Sequence, residues 1–239
     1  MSDRVVLGFS GGVDSAFLLW AARQAGADVR PYFIYTAFQP RFELDDAQRL
    51  AAQLGVELTV LEHDILQHAD VAANPANRCY YCKNALFGLL RQQSLADGYE
   101  ILLDGTNASD DAGDRPGMRA LQEQGVLSPL RLCGLTKDEI RRRSREAGLF
   151  TWDKPAYACL ATRIPPGTAI EKSVLERVEA AEGALMALGY SDFRVRVFHD
   201  AARLQLPHAQ FPRDELAYVT LHQTLSQWFD TVLLDLKGR

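Results

Sequence analysis

The chain has no run of eighteen apolar residues, and its start lacks a basic segment followed by an apolar core. Both absences speak against a membrane-spanning or secreted protein and for a cytoplasmic one. Charge of one sign is also scarce. A net charge of −5 over 239 residues is not the basic footprint of a protein built to hold nucleic acid. Only four cysteines occur, and in a chain that reads as cytosolic they point to metal or catalytic roles rather than to disulfides. Two phosphate-loop patterns are missing as well: neither the kinase-type G-x-x-x-x-G-K-[ST] nor the dinucleotide G-x-G-x-x-G is present. No internal repeat or low-complexity tract occurs. The composition that remains, 47% hydrophobic and 24% charged, suits a globular protein of one sizeable domain, or one domain plus a small one.

What is present starts with Ser10-Gly11-Gly12-Val13-Asp14-Ser15. It follows the apolar run Val5 to Phe9 and precedes a helical pattern through Ala16-Phe17-Leu18-Leu19-Trp20. A strand that stops in a Gly-rich turn and restarts as a helix leaves backbone N–H groups aimed at one point, backed by the positive end of the helix dipole. Gly11 and Gly12 let an anion approach the backbone, and Ser10 and Ser15 add hydroxyl donors. Asp14 repels a phosphate unless a divalent cation lies between them.

Further on, strands and helices alternate. Val29 to Phe38 reads as a strand, Leu44 to Leu54 as a helix closed by Gly55, Val56 to Leu61 as a strand, Tyr81 to Leu95 as a helix, and Ile101 to Asp104 as a strand ending in Gly105-Thr106-Asn107. Such alternation predicts an α/β fold, a parallel sheet with helices on both faces. Ligands in such sheets bind beyond the carboxyl ends of the strands, where Ser10 to Ser15 and Gly105 to Asn107 both fall. The segment from Ala108 to Pro116 reads as a loop; it is either a solvated turn or a metal-binding segment in which Asp104, Asp110, Asp111 and Asp114 gather near the phosphates. Thr136 to Glu139 has capping-box spacing and opens a helix that runs to Gly148, with Arg141 to Arg145 as its solvated face.

Beyond Trp152 the chain becomes irregular through Pro155, Cys159, Arg163, Pro165, Pro166 and Gly167, which marks a domain boundary. We therefore expect a main domain over 1–167 and a small α+β domain over 168–239. In the latter, a helix at Glu171 to Leu188 precedes strands at Phe193 to Phe198 and Ala202 to Leu206, then a helix at Asp214 to Trp228 and a strand at Val232 to Leu236. Arg194 and Arg196 share one face of their strand, so both can converge on one anion; a solvent-facing edge pair is the plainer reading.

Cys79 and Cys82 stand three positions apart at the start of a predicted helix, beside Arg78 and Lys83, a setting that favours thiolate. Cys159 lies far away in sequence. Three thiolates are one short of a closed zinc site but suit an Fe–S cluster with one open iron. A redox pair of Cys79 and Cys82, or a zinc site completed by Cys133, are the other readings; the apolar neighbours of Cys133 suggest an inert buried thiol.

Ser-Gly-Gly-Val-Asp-Ser resembles the loop of the PP-loop ATP pyrophosphatases. Taken with Arg-Cys-Tyr-Tyr-Cys-Lys, Asp-Gly-Thr-Asn, Asp-Lys-Pro-Ala, Ala-Cys-Leu-Ala-Thr-Arg-Ile-Pro and Phe-Arg-Val-Arg, it makes nearly the whole chain resemble the LarE family of ATP-dependent sulfur transferases. The resemblance implies a cytoplasmic enzyme of nickel-pincer nucleotide biosynthesis, which supplies lactate racemase-like enzymes. It would adenylate a carboxylate of pyridinium-3,5-biscarboxylic acid mononucleotide, using ATP and Mg²⁺, and convert it to a thiocarboxylate. Residues matched to ATP and substrate are Ser10, Gly11, Gly12, Asp14, Ser15, Gly105, Thr106, Arg194 and Arg196; Cys159, Asp14 and Arg163 are matched to catalysis, and Glu182 and Asp214 to acidic positions. The family has two sulfur sources. One sacrifices the cysteine matched by Cys159; the other holds a [4Fe-4S] cluster on three cysteines, here Cys79, Cys82 and Cys159, and takes sulfide from a donor. The resemblance also implies a homo-oligomer, a hexamer. Rival readings are a tRNA thiolase of the PP-loop class, a PP-loop amide ligase, and a non-catalytic cluster or zinc carrier.

Overall fold

Strand β1 (Arg4–Gly8) buries residues on both sides, the mark of a strand covered twice. In the computed structural model, which describes residues 4–110 and 116–239, it is a central strand of a four-stranded parallel sheet of order β3-β2-β1-β4. The others are β2 (Asp28–Tyr35), β3 (Thr59–Glu62) and β4 (Ile101–Leu103). Alternation sorts their side chains. Val5, Leu7, Phe33 and Leu103 face one way, with helices α1 (Val13–Gln24) and α2 (Arg41–Gln53); Val6, Tyr32 and Leu102 face the other.

Three short helices and two long ones complete this unit. Helix α3 (Ala69–Ala72) leads into α4 (Arg78–Ala96), followed by α5 (Pro116–Glu123), α6 (Pro129–Leu132) and α7 (Lys137–Glu146). Leu90 of α4 and Leu121 of α5 cover the Val6 face, while Leu130 of α6 and Ile140 of α7 join the Leu7 face. The expected α/β architecture is therefore present. Strand β3 begins later than the pattern suggests, because Gly55, at φ +62°, turns the chain out of α2 and the Val56 N–H closes back on the Ala51 carbonyl at 3.0 Å. The capping box of α7 is in place: Thr136 Oγ1 accepts from the Glu139 N–H, and Glu139 accepts from the Thr136 N–H at 3.0 Å.

The chain divides into two compact units, Met1–Val71 with Ala76–Lys154, and Ala72–Pro75 with Pro155–Arg239. The second unit takes in Pro155–Gly167 together with Ala72–Pro75, so the division lies at the start of the irregular stretch beyond Trp152. Asn74 explains part of this: its side chain donates to the Pro165 and Thr168 carbonyls at 2.9 and 3.1 Å, and its own carbonyl accepts from the Gly167 N–H at 2.7 Å. In the second unit, α8 (Lys172–Ala187) buries Leu175, Val178, Ala181 and Leu185 at helical spacing. It packs on β5 (Arg194–Phe198) and on α9 (Glu215–Leu225). Strand β5 pairs antiparallel with β6 (Ala201–Gln205), which pairs parallel with β7 (Val232–Leu234). No helix among the described residues is long and apolar enough to cross a membrane.

Candidate functional site

The register of β1 against β4 sets Leu7 opposite Leu103, so the segments leaving the two strands run side by side. Gly11 takes φ +68°, and an added Cβ would lie 3.2 Å from backbone atoms of Ala47 in α2. Gly12 caps α1 without a side-chain hydrogen bond, which leaves the first N–H groups of the helix for a ligand. The serines brace the turn. Ser10 Oγ and Ser15 Oγ lie 3.2 Å apart, and Ser15 Oγ donates to the Gly12 carbonyl at 3.3 Å. Gly105 closes against the same turn, where a Cβ would meet the Ser15 nitrogen at 2.9 Å.

These residues line a cavity of about 380 Å³, large enough for a small ligand. Ser10, Gly12, Asp14, Ser15, Gly105 and Thr106 form its polar end; Phe33, Ile34, Leu86, Phe87 and Leu90 form its apolar end. Gly8 makes the apolar end close-fitting, since a Cβ there would lie 3.3 Å from the Phe87 ring.

Among the described residues three carboxylates face this cavity, and each has a different state. Both oxygens of Asp104 accept hydroxyls, from Thr106 at 2.5 Å and Ser128 at 2.6 Å. Asp110 accepts the Asn107 N–H at 3.1 Å. Asp14 pairs through Oδ2 with Lys137 Nζ at 2.6 Å, while its Oδ1 is buried without a hydrogen-bond partner. Burial pushes the Asp14 carboxyl above its ordinary value, against the pull of Lys137 and with the aid of Asp110. A half-satisfied carboxylate at a phosphate loop suits a divalent cation. The gathered Asp cluster is another matter: within either unit, no group of three His, Cys, Asp or Glu among the described residues could hold a metal ion. Asp111 and Asp114 lie outside the described residues.

Two lysines frame the loop. Lys137 opens α7, and Lys154 Nζ reaches the Gly11 carbonyl at 3.4 Å while pairing with Asp46 at 2.7 Å. Cys79 and Cys82 lie in the first turn and a half of α4, on one face by their spacing of three. Cys79 is exposed and Cys82 half-buried, and neither forms a disulfide among the described residues. The next residue, Lys83, lines the cavity, its stem packed over Gly117 of α5. Cys133 is exposed, not buried as its neighbours suggest, because it caps the four-residue helix α6 with its N–H on the Pro129 carbonyl.

In the second unit Cys159 is half-buried. Its carbonyl accepts from the Thr162 N–H and from Arg163. Arg163 is 1% exposed and uses all three nitrogens within the unit: Nε and NH2 bind the two Glu182 oxygens at 2.9 Å, and NH1 donates to the Ala158 carbonyl at 2.7 Å. Burial opposes its charge, and Glu182 more than offsets that, so its pKa is raised. Glu182 also accepts Tyr157 Oη at 2.5 Å and the Val195 N–H at 2.9 Å. Arg194, buried on β5, donates to the Phe193 and Ala156 carbonyls, and burial, with the charges of Arg163 and Arg239, pushes it down to about 10. Arg196 donates to Gln205 and to the Thr162 carbonyl at 2.6 Å. Both arginines thus donate within their own unit, Arg194 to backbone and Arg196 to the Gln205 side chain and backbone, unlike a solvent-facing edge pair. Asp214 caps α9, accepting the Ala217 N–H at 2.8 Å.

Comparison with known proteins bears on what this arrangement does. Residues 4–78 match the family model of the queuosine biosynthesis protein QueC. A protein of Synechocystis sp. described as uncharacterized is 37% identical over 99% of this chain and 90% of its own. The pyridinium-3,5-bisthiocarboxylic acid mononucleotide synthase of Lactiplantibacillus plantarum is 33% identical over 99% of this chain and 87% of its own. The chain belongs to the LarE family. A tRNA-specific 2-thiouridylase of Nocardioides sp. matches 64% of the chain at 28% identity, over 52% of its own length. This LarE-family chain is accordingly an ATP-dependent sulfur transferase of the PP-loop class.

Within the first unit the structure brings together Ser10, Gly12, Asp14, Ser15, Gly105 and Thr106, and it sets Cys82 one residue from the cavity-lining Lys83. Cys159, Arg163, Arg194 and Arg196 belong to the second unit. Lys137 and Lys154 carry no role in the sequence reading. Lys137 sits inside a helix-start signature, and nothing local ties it to Asp14, 123 positions away.

Proposed function

We propose that this enzyme adenylates a carboxylate of pyridinium-3,5-biscarboxylic acid mononucleotide with ATP and replaces the carboxylate oxygen by sulfur, in the cytoplasm and as a homo-oligomer. The observation that carries the reading is the phosphate loop opening on a mixed polar and apolar cavity, in a chain akin along nearly its whole length to a synthase of the bisthiocarboxylic product.

The cavity suits ATP end to end. Phe33, Leu86, Phe87 and Leu90 take the purine, as aromatic and aliphatic walls do. Gly11 and Gly12 admit the pyrophosphate to the α1 N–H groups. A carboxylate oxygen of the substrate attacks the α-phosphorus, the α–β bridging bond breaks, and pyrophosphate leaves on the loop. The carboxyl carbon then carries AMP as a leaving group. A sulfur nucleophile adds to it, and expulsion of AMP yields the thiocarboxylate. Mg²⁺ held on the unpartnered Asp14 Oδ1 would offset charge on the departing oxygens.

For the sulfur, Cys79 and Cys82, three positions apart on α4, would hold two corners of a [4Fe-4S] cluster, with Cys159 as the third ligand, as in the cluster form of the family. Bound there, the cluster would supply an iron able to hold exogenous sulfide. Arg163, by gripping the Ala158 and Cys159 carbonyls, positions the Cys159 backbone. Arg194 and Arg196 would serve the phosphate and carboxylates of the substrate by exchanging their present acceptors, the Phe193, Ala156 and Thr162 carbonyls and Gln205.

The test is pyrophosphate release from ATP with this mononucleotide as acceptor, followed by mass spectrometry of the product. An oxygen-to-sulfur exchange is the expected result. Release only with tRNA, or with ammonia in place of sulfide, would overturn the reading.

A further inference from the structure

Asp14 poses a problem inside the loop reading proposed above: a carboxylate stands among groups arranged for an anion. The structure answers it with Lys137, whose Nζ lies 2.6 Å from Asp14 Oδ2. The pair is partly shielded, with the lysine side chain 29% and the aspartate 23% exposed. It is also incomplete, because Asp14 Oδ1 is buried and has no hydrogen-bond partner among the described residues. One oxygen is neutralised by the protein's own cation, and the other awaits one.

The lysine is placed for more than this contact. Its N–H is held by Ser109 Oγ at 2.9 Å, and the Ala108 N–H is held by the Leu135 carbonyl at 2.8 Å. The start of α7 is thereby fastened to the segment after β4 that lines the cavity with Gly105, Thr106 and Asp110. The capping box fixes the same turn. The backbone of Lys137 is therefore fixed while its four-carbon stem stays flexible, and an ammonium on such a stem can change partners without moving the helix. Lys154, the other lysine at the loop, is engaged by Asp46 and Gly11 and is not on Asp14.

We propose that Lys137 is a phosphate-contacting residue stored on Asp14 in the empty loop. With nucleotide and a divalent cation bound, the Asp14 carboxylate would hold the cation, and the Lys137 ammonium, released from Asp14, would move to the phosphate oxygens. The exchange keeps Asp14 neutralised before and after binding. It delivers a second positive charge to the phosphates only when the metal is present, so metal-free ATP meets a loop whose lysine is engaged.

This rests on the loop binding ATP, and a double-mutant cycle separates the two claims. ATP affinity is measured by calorimetry, without metal and with Mg²⁺, for the wild type, Asp14→Asn, Lys137→Met and the double variant. Without metal, Lys137→Met alone should weaken ATP binding by less than it does in the Asp14→Asn background, because in the wild type the lysine is on Asp14 and only its screening of that carboxylate is lost. Asp14→Asn, which is nearly isosteric, should free Lys137 and tighten metal-free ATP about tenfold, a size ordinary for coupled contacting groups. Adding Lys137→Met in that background should cancel the gain. With Mg²⁺, Lys137→Met should weaken ATP binding by a similar factor. Equal effects of Lys137→Met in both backgrounds, or none in either, would overturn the exchange. Absence of ATP binding to the wild type with Mg²⁺ would instead overturn the loop reading itself. If Lys137→Met does not fold, Asp14→Asn alone decides: unchanged metal-free affinity counts against the exchange.

Discussion

Arg163 and Glu182 meet as a bidentate ion pair with side chains 0% and 2% exposed. Burying two charges is costly, and the pair persists because each Arg163 nitrogen and each Glu182 oxygen is hydrogen-bonded. Glu182 takes Tyr157 Oη and the Val195 N–H, and Arg163 takes the Ala158 and Cys159 carbonyls. The pair therefore ties α8, β5 and the Cys159 turn into one piece. Arg163→Ala should lower stability by about 3–5 kcal/mol, the usual result of stranding a buried charge, read from urea unfolding. Arg163→Lys should recover only part of this, since an ammonium cannot make the bidentate contact. If Arg163→Ala unfolds at the wild-type urea midpoint, the pair is not what holds this turn.

Gly105 makes a second prediction, of opposite character. A Cβ there meets the Ser15 backbone nitrogen at 2.9 Å and its Cα at 3.2 Å, and backbone at a helix start does not yield as a side-chain tip does. Gly105→Ala should cost about 1–3 kcal/mol from overpacking and should weaken ATP binding about tenfold or more by displacing the phosphate loop. Gly183, on α8, has open space around its Cβ position; alanine there gains helix propensity and should leave ATP affinity unchanged. Calorimetric ATP titration of the two variants checks the contrast.

Asp14 fixes a pH dependence. Burial raises its carboxyl pKa in the folded protein, so between the unfolded and folded values the folded state binds more protons. Stability from this group then falls as pH rises through that window, and at neutral pH the ionised carboxylate is a net cost. Asp14→Asn should remove the slope: its stability should exceed that of the wild type at neutral pH, and the difference should vanish in acid. Parallel unfolding curves of the two proteins from acid to neutral pH test this, and a gap that widens toward acid would refute it.

The sequence made legible whatever depends on neighbours. The strand, turn and helix around Ser10 to Ser15, the alternation of the sheet and the capping box of α7 are all local patterns, and they appear where expected. Pairings across long separations were not legible. Nothing in Thr136-Lys137-Asp138-Glu139 announces a partner at Asp14, and nothing in Phe-Arg-Val-Arg says that Arg194 spends its donors on the Phe193 and Ala156 carbonyls. Cys133 shows a different limit. Its apolar neighbours suggest burial, but a helix of one turn cannot bury all its sides, and the thiol and Leu132 are both exposed.

The cysteines give the last prediction, because the two sulfur sources demand different things of Cys79 and Cys82. A sacrificial Cys159 needs neither: its Cβ–Sγ bond breaks, the sulfur leaves with the product and dehydroalanine remains. Cys79→Ser and Cys82→Ser would then each retain one turnover per chain, with the intact mass lowered by the lost sulfur. The cluster route, which we propose, needs all three thiols for ligation and consumes none. Each single Ser variant should lose iron and also lose turnover with added sulfide, while the wild type, purified anaerobically, should turn over repeatedly with its mass unchanged. Cys133→Ser, in the same unit but outside the cavity lining, should behave as wild type in every assay. Iron and sulfide analysis beside intact mass after turnover decides between the routes, and a wild type that stops after one turnover with Cys159 desulfurised would discard the cluster.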